Sequence, residues 1–348
     1  MDRRGARGVM DGRNAGVTAE TSAAVRLRPL QDGDFEALAE LHTANFPEEP
    51  RTAAESRERY EKFDAERYVR EYVVALDSGD RVVGLGVYAH APWSFHPDKY
   101  MIYVMVRPTH QRRGIGARIM EHLSSGLRAR GATRLRSWAR EDYPHSLAFL
   151  ARFGFTEYSR TFESRLPVAR VDPVPFAGAE ERARAAGITI TTLAEELARD
   201  PTCLPALYQA HCGLEVTTPH TDPDLPVAPA YNHWLTHEVR HPRVPLEAFF
   251  LAKQGEFYVG ESVMKRSESE ADVLWQQLTA VHREFQGHGI ATALKLRTIA
   301  YAQQHGFREI RTFNSSKNGA MLAINTKLGF IRQPAWIDFL LERSAEQG

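Results

Sequence analysis

The sequence predicts two tandem copies of an α/β (α+β) domain, each with a mixed β-sheet flanked by helices. The first observation is a repeat: Val104–Phe155 reappears at Thr279–Phe330, 175 residues later and without a gap, with ten of the 52 aligned pairs identical. So long a period indicates two copies of a whole domain rather than a solenoid of short units. The second observation is that strands paired by tight turns precede a strand–helix–strand unit in each copy, which is typical of a mixed sheet.

The spacing of apolar residues predicts the elements of the first copy in order. Alternation favours strands at 25–30, 72–76, 81–88, 101–106, 135–138 and 155–166, and helical spacing favours helices at 34–45, 114–130 and 146–153. The polar turn at 77–80 separates two of the strands, and Gly131 is a suitable residue just beyond the end of the long helix.

The second copy repeats that order. Strands are expected at 188–191, 249–253, 256–264, 273–281, 309–313 and 336–341, with helices around 193–210, from Gly289, and at 320–328. The predicted organisation is a disordered leader at 1–24, domains at 25–166 and 188–342, and a linker at 167–187 that holds three prolines and a charged stretch.

Composition excludes several classes of protein. The chain has 348 residues, 44 basic and 44 acidic, so its formal charge gives no general attraction to nucleic acid or to an anionic membrane. No apolar run is as long as a membrane span, and no secretory signal is recognised. Two cysteines, Cys203 and Cys212, cannot form a disulfide framework, so we expect a cytoplasmic protein.

A glycine-containing loop opens the long helix in both copies. Gln111–Gly116 follows one strand and Gln286–Ala291 follows its counterpart, with the pattern Gln-x-x-Gly-x-(Gly/Ala). Small residues at 114, 116, 289 and 291 let backbone N–H groups converge on one point, where the helix N-terminus favours a pyrophosphate. The alternative is that the glycines only make a tight turn. The residues predicted to bind the anion are Gln111, Arg112, Arg113, Gly114, Ile115 and Gly116, and Gln286, Gly287, His288, Gly289, Ile290 and Ala291.

Two other nucleotide motifs are not supported. The phosphate loop of NTPases, with its Gly-Lys-(Ser/Thr) ending, is absent. Gly84–Ala89 superficially resembles a dinucleotide fingerprint, but Val87-Tyr88 continues a strand where that motif requires a helix.

The repeated loop, together with the downstream Gly-Phe, resembles the GNAT superfamily of acyl-CoA-dependent N-acyltransferases. The resemblance implies a sheet splayed between its fourth and fifth strands, with acetyl-CoA in the gap as cosubstrate. It also implies that the backbone amides of Met105 and Val106, or of Ala280 and Val281, hold the thioester carbonyl. We therefore expect acetyl transfer, by direct attack in a ternary complex, to a primary amine of a small molecule or peptide. A monomer or homodimer is expected.

The catalytic residues of that family are only partly present. Members often carry an Asn, a Tyr seven residues later that protonates the departing thiolate, and then Gly-Phe. Asn318 fits, but Asn325 stands at the Tyr position, and the first copy has Tyr143 and Leu150 there. The Glu that some members carry on the fourth strand is replaced by Tyr100 and Trp275.

The second copy has more polar residues where the splay is expected. We take Asn314, Asn318 and Asn325 as candidate catalytic residues and the second copy as the catalytic one. The alternative is that Asn and Ser here only cap a turn.

His237-Glu238-Val-Arg-His241 matches a zinc motif and offers a zinc-dependent hydrolase as an alternative, with Glu261 as a third ligand. Pro242 disfavours helical geometry at His241, so we expect no metal. A non-catalytic acyl-CoA-binding protein also stays open. The tandem arrangement resembles mycothiol synthases as well, although their tyrosine is not seen.

Overall fold

The computed structural model describes residues 25–47, 50–176, 178–219 and 228–343. The leader predicted at 1–24 lies outside the described residues. In the described ranges no helix is both long enough and apolar enough to cross a membrane.

The described strands and helices follow the predicted order. The strands are β1 Arg26–Pro29, β2 Arg70–Leu76, β3 Val82–Ala89, β4 Lys99–Val106, β5 Arg134–Arg140, β6 Thr156–Pro167, β7 Ile188–Thr192, β8 Phe249–Gln254, β9 Phe257–Arg266, β10 Val273–Val281, β11 Glu309–Ser315, β12 Ile331–Arg332 and β13 Trp336–Glu342. The helices are α1 Phe35–Asn45, α2 Ala53–Glu61, α3 Ile115–Ala129, α4 Pro144–Arg152, α5 Gly178–Ala185, α6 Leu193–Arg199, α7 Leu204–Thr217, α8 Tyr231–Trp234, α9 Ile290–Gln304 and α10 Gly319–Leu328.

Three of these helices, α2, α5 and the four-residue α8, were not expected from the sequence. Helix α2 buries no residue, so it leaves no apolar periodicity to read. Its start is nevertheless marked by a capping box, in which Thr52 and Glu55 each accept a hydrogen bond from the other's backbone N–H. Helix α5 lies within the predicted linker, where its buried Ala179 and Ala183 pack in the core beside α9. The division into domains and linker stays a prediction.

The described residues fall into two compact units. The first comprises 25–62, 72–86 and 104–124, and the second 63–71, 87–103 and 125–343, so β2, β3 and β4 contribute to both. In the first unit β1 pairs antiparallel with β2. Glycines on β3 allow α3 to pack closely: a Cβ added at Gly86 would lie 3.0 Å from Leu123 Cδ1, and one at Gly84 would lie 2.9 Å from Ile119 Cδ1. These glycines therefore serve helix packing, as expected of a strand rather than of a dinucleotide loop.

The second unit contains one mixed sheet. Its strand order is β4-β5-β13-β6-β11-β10-β9-β8-β7. The pairs β4·β5 and β10·β11 are parallel, and the other pairs of this series are antiparallel. The predicted mixed α/β fold is confirmed.

The last strands of the two copies are exchanged. β13, which ends the second copy, pairs with β5 and β6 of the first, while β6 pairs with β11 of the second. Each copy therefore completes its sheet with a strand from the other copy. The exchange joins the sheet edges of the two copies through antiparallel ladders, which leaves those edges paired rather than exposed.

Two apolar cores lie on the sheet of the second copy. One lies beneath α9 and α5 and includes Leu274, Ile290 and Leu294. The other lies beneath α6 and α7 and includes Leu207 and Trp234. Strands β8 and β9 are covered by these helices, which accounts for their nearly continuous burial.

Candidate active site

The parallel strands β10 and β11 part at the place where the sequence analysis expected a splay. Their pairing runs from Val273 and Glu309 to Gln276 and Thr312 and then stops, although β10 continues to Val281. A register irregularity between Gln276 and Thr279 accompanies the change. In the first copy, β4 and β5 pair only from Lys99 to Met101. A parallel pair that ends early leaves unpaired backbone groups on β10.

The two glycine loops have the same backbone conformation. Positions 112 and 114 have φ of 62° and 79°, and the equivalent Gly287 and Gly289 have φ of 85° and 80°. A left-handed conformation at both positions turns the chain from the strand into the helix, and glycine adopts it without strain. Arg112 is the exception, since a side chain is accepted there at positive φ. The predicted anion-binding loop is thus built twice with one geometry.

The first residue of each loop makes the same hydrogen bond, which holds the loop in place. Gln111 Nε2 donates to the carbonyl oxygen of Val106 at 3.1 Å, and Gln286 Nε2 donates to that of Val281, also at 3.1 Å. Each glutamine thereby ties its loop to the end of the preceding strand. This bond explains why glutamine stands at the first position of both motifs, since a short side chain would not reach that carbonyl.

Residues Met105, Val106, Ala280 and Val281, predicted to hold a thioester, end the strands β4 and β10. Ile115 and Ile290 open α3 and α9 with buried side chains, so their backbone amides, not their side chains, are the groups that a ligand could use. Arg113 and His288 are exposed. The members of each predicted anion-binding loop lie together.

Substitutions in the second loop should separate conformational strain from close packing. An added Cβ meets nothing within 4 Å at Gly287, but at Gly289 it would lie 3.2 Å from the carbonyl oxygen of Ala179. Gly287→Ala should therefore lower the free energy of unfolding by about 1–2 kcal/mol, the cost of the left-handed conformation alone. Gly289→Ala should cost about 2–4 kcal/mol, because packing strain adds to it. Urea unfolding of both variants measures the difference, and equal losses would contradict it.

The candidate catalytic asparagines do not all lie together. Asn325 Nδ2 donates to Asn314 Oδ1 at 2.6 Å, which joins α10 to β11. Asn325 is buried, and its Oδ1 has no hydrogen-bond partner among the described residues. Asn318 instead caps α10, accepting from the backbone N–H of Met321 at 3.1 Å. Asn318 therefore already has a structural task, and the pair at 314 and 325 stays the candidate for chemistry.

The first copy lacks this amide pair. At the offset of 175 residues Asn314 corresponds to Ala139 and Asn325 to Leu150, and both of these are buried and apolar. Both copies keep a stacked aromatic pair between their fourth and fifth strands: Trp275 on Phe313 with centroids 5.2 Å apart, and Tyr103 on Trp138 at 5.5 Å. The two copies therefore share their framework and differ in polarity.

A sequence model of the acetyltransferase (GNAT) family matches residues 35–155 and 205–330, which together make up more than half of the chain. The chain belongs to the GNAT family. Both copies of the repeat are matched, so the chain is a tandem GNAT protein and an acyl-CoA-dependent N-acetyltransferase. Acetyl-CoA is the acetyl donor that this family uses, and amines are its acceptors.

Individual relatives are distant. A mycothiol acetyltransferase from Frankia casuarinae (strain DSM 45818 / CECT 9043 / HFP020203 / CcI3) is 24% identical over 253 residues, covering 69% of this chain and 67% of that protein. A GCN5-related N-acetyltransferase from Sphaerobacter thermophilus has a similar structure, with TM-score 0.69, 18% identity and coverage of 91% and 95% of the two chains. A tandem GNAT protein from the clavulanic acid biosynthesis pathway has TM-score 0.66, 20% identity and coverage of 93% and 100%. At these identities the two structures show the fold alone.

The histidine motif of this GNAT protein does not form the helical turn that the zinc alternative requires. A π-helical turn ends at Val239, before His241, as Pro242 led us to expect. His237 packs against His233, with ring centroids 4.3 Å apart, and His241 Nδ1 accepts from the backbone N–H of Arg243. In the ranges that the structure describes, no group of three or more His, Cys, Asp or Glu side chains is placed to hold a metal ion.

Sequence reasoning missed a cluster of charged residues around His211 of α7. His211 Nδ1 lies 2.6 Å from Glu261 Oε1 on β9, and its Nε2 lies 3.6 Å from Glu238 Oε2 and 3.7 Å from Glu215 Oε2. Burial alone would lower the pKa of His211, but the hydrogen bond and charge of Glu261, with the charges of Glu238 and Glu215, outweigh it and raise that pKa to about 9. Burial, with the neighbouring carboxylates, raises the pKa of Glu238.

The available signal for this cluster was weak. Tyr208, Tyr231 and Trp234 pack together on one side of His211, and aromatic residues near helical spacing indicate a core more often than a site. Glu238 and Glu261 had been grouped only through the zinc motif. The contact between α7 and β9 spans 50 residues, so no local spacing could indicate it.

Proposed function

We propose that the chain transfers an acetyl group from acetyl-CoA to a primary amine of a small molecule or peptide, and that the second copy carries out the reaction. The parting of β10 and β11 supports this proposal most directly. It leaves the end of β10 with free backbone groups next to the loop Gln286–Ala291. A pyrophosphate on that loop would place the pantetheine arm along the end of β10.

The acetyl group would be held by a backbone amide. Successive N–H groups of a strand point to opposite edges, so one N–H of the pair Ala280 and Val281 faces the gap. It would donate to the thioester carbonyl and stabilise the negative charge that develops on its oxygen as the amine attacks. Binding both substrates in one complex supplies proximity, so no covalent acetyl-enzyme is required. The neutral amine forms the new C–N bond, and the C–S bond then breaks to release CoA as a thiolate.

The amide pair distinguishes the two copies. We assign Asn325, held by Asn314, to the departing thiolate, toward which its second N–H would donate a hydrogen bond. An amide cannot protonate sulfur, so a water molecule carries the proton that the attacking nitrogen loses to the departing thiolate. The first copy offers only Leu150 and Ala139 at these places. We assign to that copy a second CoA site or a structural role.

Asn325→Leu should lower kcat about 100-fold and leave the KM for acetyl-CoA within threefold, because one hydrogen bond to the transition state is lost while the loop is unchanged. The leucine should fit, since Leu150 fills the equivalent place. Release of CoA thiol from acetyl-CoA against a panel of amines gives both constants.

Asn318→Ala is the matched control for that variant. It removes the cap of α10, so it should lower stability by about 1 kcal/mol and leave kcat within threefold. Equal kcat losses for Asn318→Ala and Asn325→Leu would contradict the assignment of Asn325.

Thiol release, CoA binding and zinc content together separate the alternative functions. A non-catalytic CoA-binding protein would bind CoA in calorimetry but release no thiol with any amine. A zinc hydrolase would contain stoichiometric zinc after purification and lose activity with chelator. If no CoA binds, the acetyltransferase proposal fails. Because a relative is a mycothiol acetyltransferase, mycothiol-type acceptors belong in the panel.

A further inference from the structure

The cluster around His211 lies beside the proposed thioester site. In the ladder between β9 and β10, Glu261 is the cross-strand partner of Ala280. Directly opposed residues on antiparallel strands have Cα atoms about 5 Å apart. Glu261 therefore lies on β9 directly beside Ala280, at the end of β10 whose backbone N–H we assign to the acetyl group.

One oxygen of that carboxylate is not used within the protein. Glu261 is 1% exposed, and its Oε1 bonds to His211. Its Oε2 is buried and has no hydrogen-bond partner among the described residues. A buried, unpaired carboxylate oxygen costs free energy unless a ligand satisfies it, so it points to a proton-bearing group in the complex.

The cluster connects this buried oxygen to the surface. His211 is 3% exposed, whereas the side chains of Glu215 and Glu238 are 39% and 41% exposed. The histidine contacts Glu261 through Nδ1 and faces the two outer carboxylates through Nε2. Nε2 is buried, lies 3.6 Å from Glu238 Oε2 and has no hydrogen-bond partner among the described residues. A histidine can take a proton on one ring nitrogen and release one from the other.

The first copy has no such route. The strand segment around Glu261 corresponds to that around Leu85 in β3, where a carboxylate is absent. The cluster is thus present in the copy that also has the amide pair. Two independent differences in polarity mark the same copy.

We propose that Glu261 accepts the proton that the acceptor ammonium must lose, and that His211 passes a proton on to Glu238 and Glu215 at the surface. This inference rests on the proposed acetyl transfer. The ammonium gives its proton to Glu261 Oε2 and becomes the neutral nucleophile. The imidazolium of His211 gives its Nε2 proton to Glu238, which leaves a neutral ring that carries its proton on Nδ1. A flip of the ring then brings the unprotonated nitrogen to Glu261, whose proton it takes. One proton leaves the amine, one reaches the surface, and the relay returns to its starting charge.

Other titratable groups near the relay act on its outer end. Lys265 on β9 is a positive charge that favours the ionised form of Glu238. Cys212 on α7 lies close enough to the charges of Glu215 and Glu261 that they raise the pKa of its thiol, after the larger effect of burial.

Glu261→Gln tests the inner end of the relay. The change keeps shape and hydrogen bonding but removes the proton acceptor, so kcat at pH 7 should fall about 100-fold or more while the calorimetric affinity for CoA is unchanged. The loss should shrink about tenfold per pH unit up to the pKa of the amine, because the free amine then needs no acceptor. A kcat for Glu261→Gln within threefold of the native value overturns the relay. A loss of kcat that is equal at every pH also overturns it, because a purely structural role of Glu261 would give that result.

The outer end provides a second test that does not depend on the fold of the core. The double variant Glu215→Gln, Glu238→Gln should lower kcat about tenfold at pH 7, and added imidazole buffer should restore it by accepting the proton. The exposed Glu247→Gln is the matched control and should leave kcat unchanged. The relay is overturned if the double variant keeps its kcat, or if its kcat falls and imidazole does not restore it. This holds even if Glu261→Gln fails to fold. Native enzyme that acetylates no amine would instead contradict the proposed function itself.

Discussion

Ala291→Glu is expected to lower kcat/KM for acetyl-CoA by about 100-fold or more. Ala291 is the second residue of α9 and is only partly buried, so a glutamate can reach solvent there. An acidic residue in the first turn suits the helix dipole, and the fold should be retained. Against a pyrophosphate about 5 Å away, however, the added charge costs roughly 3 kcal/mol at an effective dielectric constant of 20.

Gly116→Glu is the matched change in the first copy, since Gly116 occupies the same place in α3. It should leave turnover within twofold and remove only CoA binding by the first copy, if that copy binds CoA. Thiol release and calorimetric stoichiometry give the two results. Loss of turnover in Gly116→Glu alone would place catalysis in the first copy.

Lys295→Met is expected to stabilise the protein by roughly 2–4 kcal/mol at pH 7. Lys295 is 1% exposed; its Nζ donates to Gln276 Oε1 and lies 4.8 Å from the centre of the Phe330 ring. Burial lowers its pKa from 10.5 to about 7. At about 1.4 kcal/mol per pKa unit, deprotonation on folding costs up to about 5 kcal/mol. The variant removes that cost, and about 1–3 kcal/mol is lost because Gln276 Oε1 loses its partner.

The pH dependence of stability gives an independent check. The folded state binds fewer protons than the unfolded state between pH 7 and about 10.5, so this contribution to stability is complete above pH 10.5 and is lost as pH falls toward 7. Urea unfolding across this range should show the slope in the native protein and its absence in Lys295→Met. Methionine should fit, since Met120 is the buried equivalent in α3.

Lys253→Met is the control, for which we expect a loss of stability instead of a gain. Lys253 is also buried, but its Nζ lies 2.8 Å from Glu196 Oε2. Removing it leaves a buried carboxylate without its main counter-charge, so the variant should lose about 3–5 kcal/mol. If Lys295→Met were destabilising at pH 7 and kept the slope, burial would not be the cause of the lowered pKa.

Much of the fold could be predicted from local patterns. The strand β10 was expected at its observed bounds, and the helix α9 was expected to start within one residue of its observed start, because burial imposes a period on the apolar residues of each. Helix α2 was missed because it buries nothing, although the capping-box residues Thr52 and Glu55 were a signal that could have found its start. Helix α5 could not be predicted, because its buried residues are alanines in a charged segment that resembles a linker.

The candidate site divides in the same way. The loops at 111–116 and 286–291 could be predicted because their geometry depends on adjacent residues, and Gln111 and Gln286 repeat one bond to the preceding strand. The sequence predicted only that Asn314 and Asn325 belong to one site, and it did not predict the hydrogen bond between them. His211 and Glu261 could not be paired from the sequence, because a contact between a helix and a strand 50 residues apart depends on how α7 packs on β9.

The sequence by itself therefore determined the duplicated module, its element order, its glycine loops and, through these, its family. The tertiary structure alone decided that β6 and β13 are exchanged between the copies, that Asn318 caps a helix, and that three carboxylates surround His211. The physical reason is the separation along the chain between the residues that interact. Backbone conformation and apolar periodicity depend on neighbours within a few residues, whereas strand partners and buried charge clusters depend on packing between segments far apart in the chain.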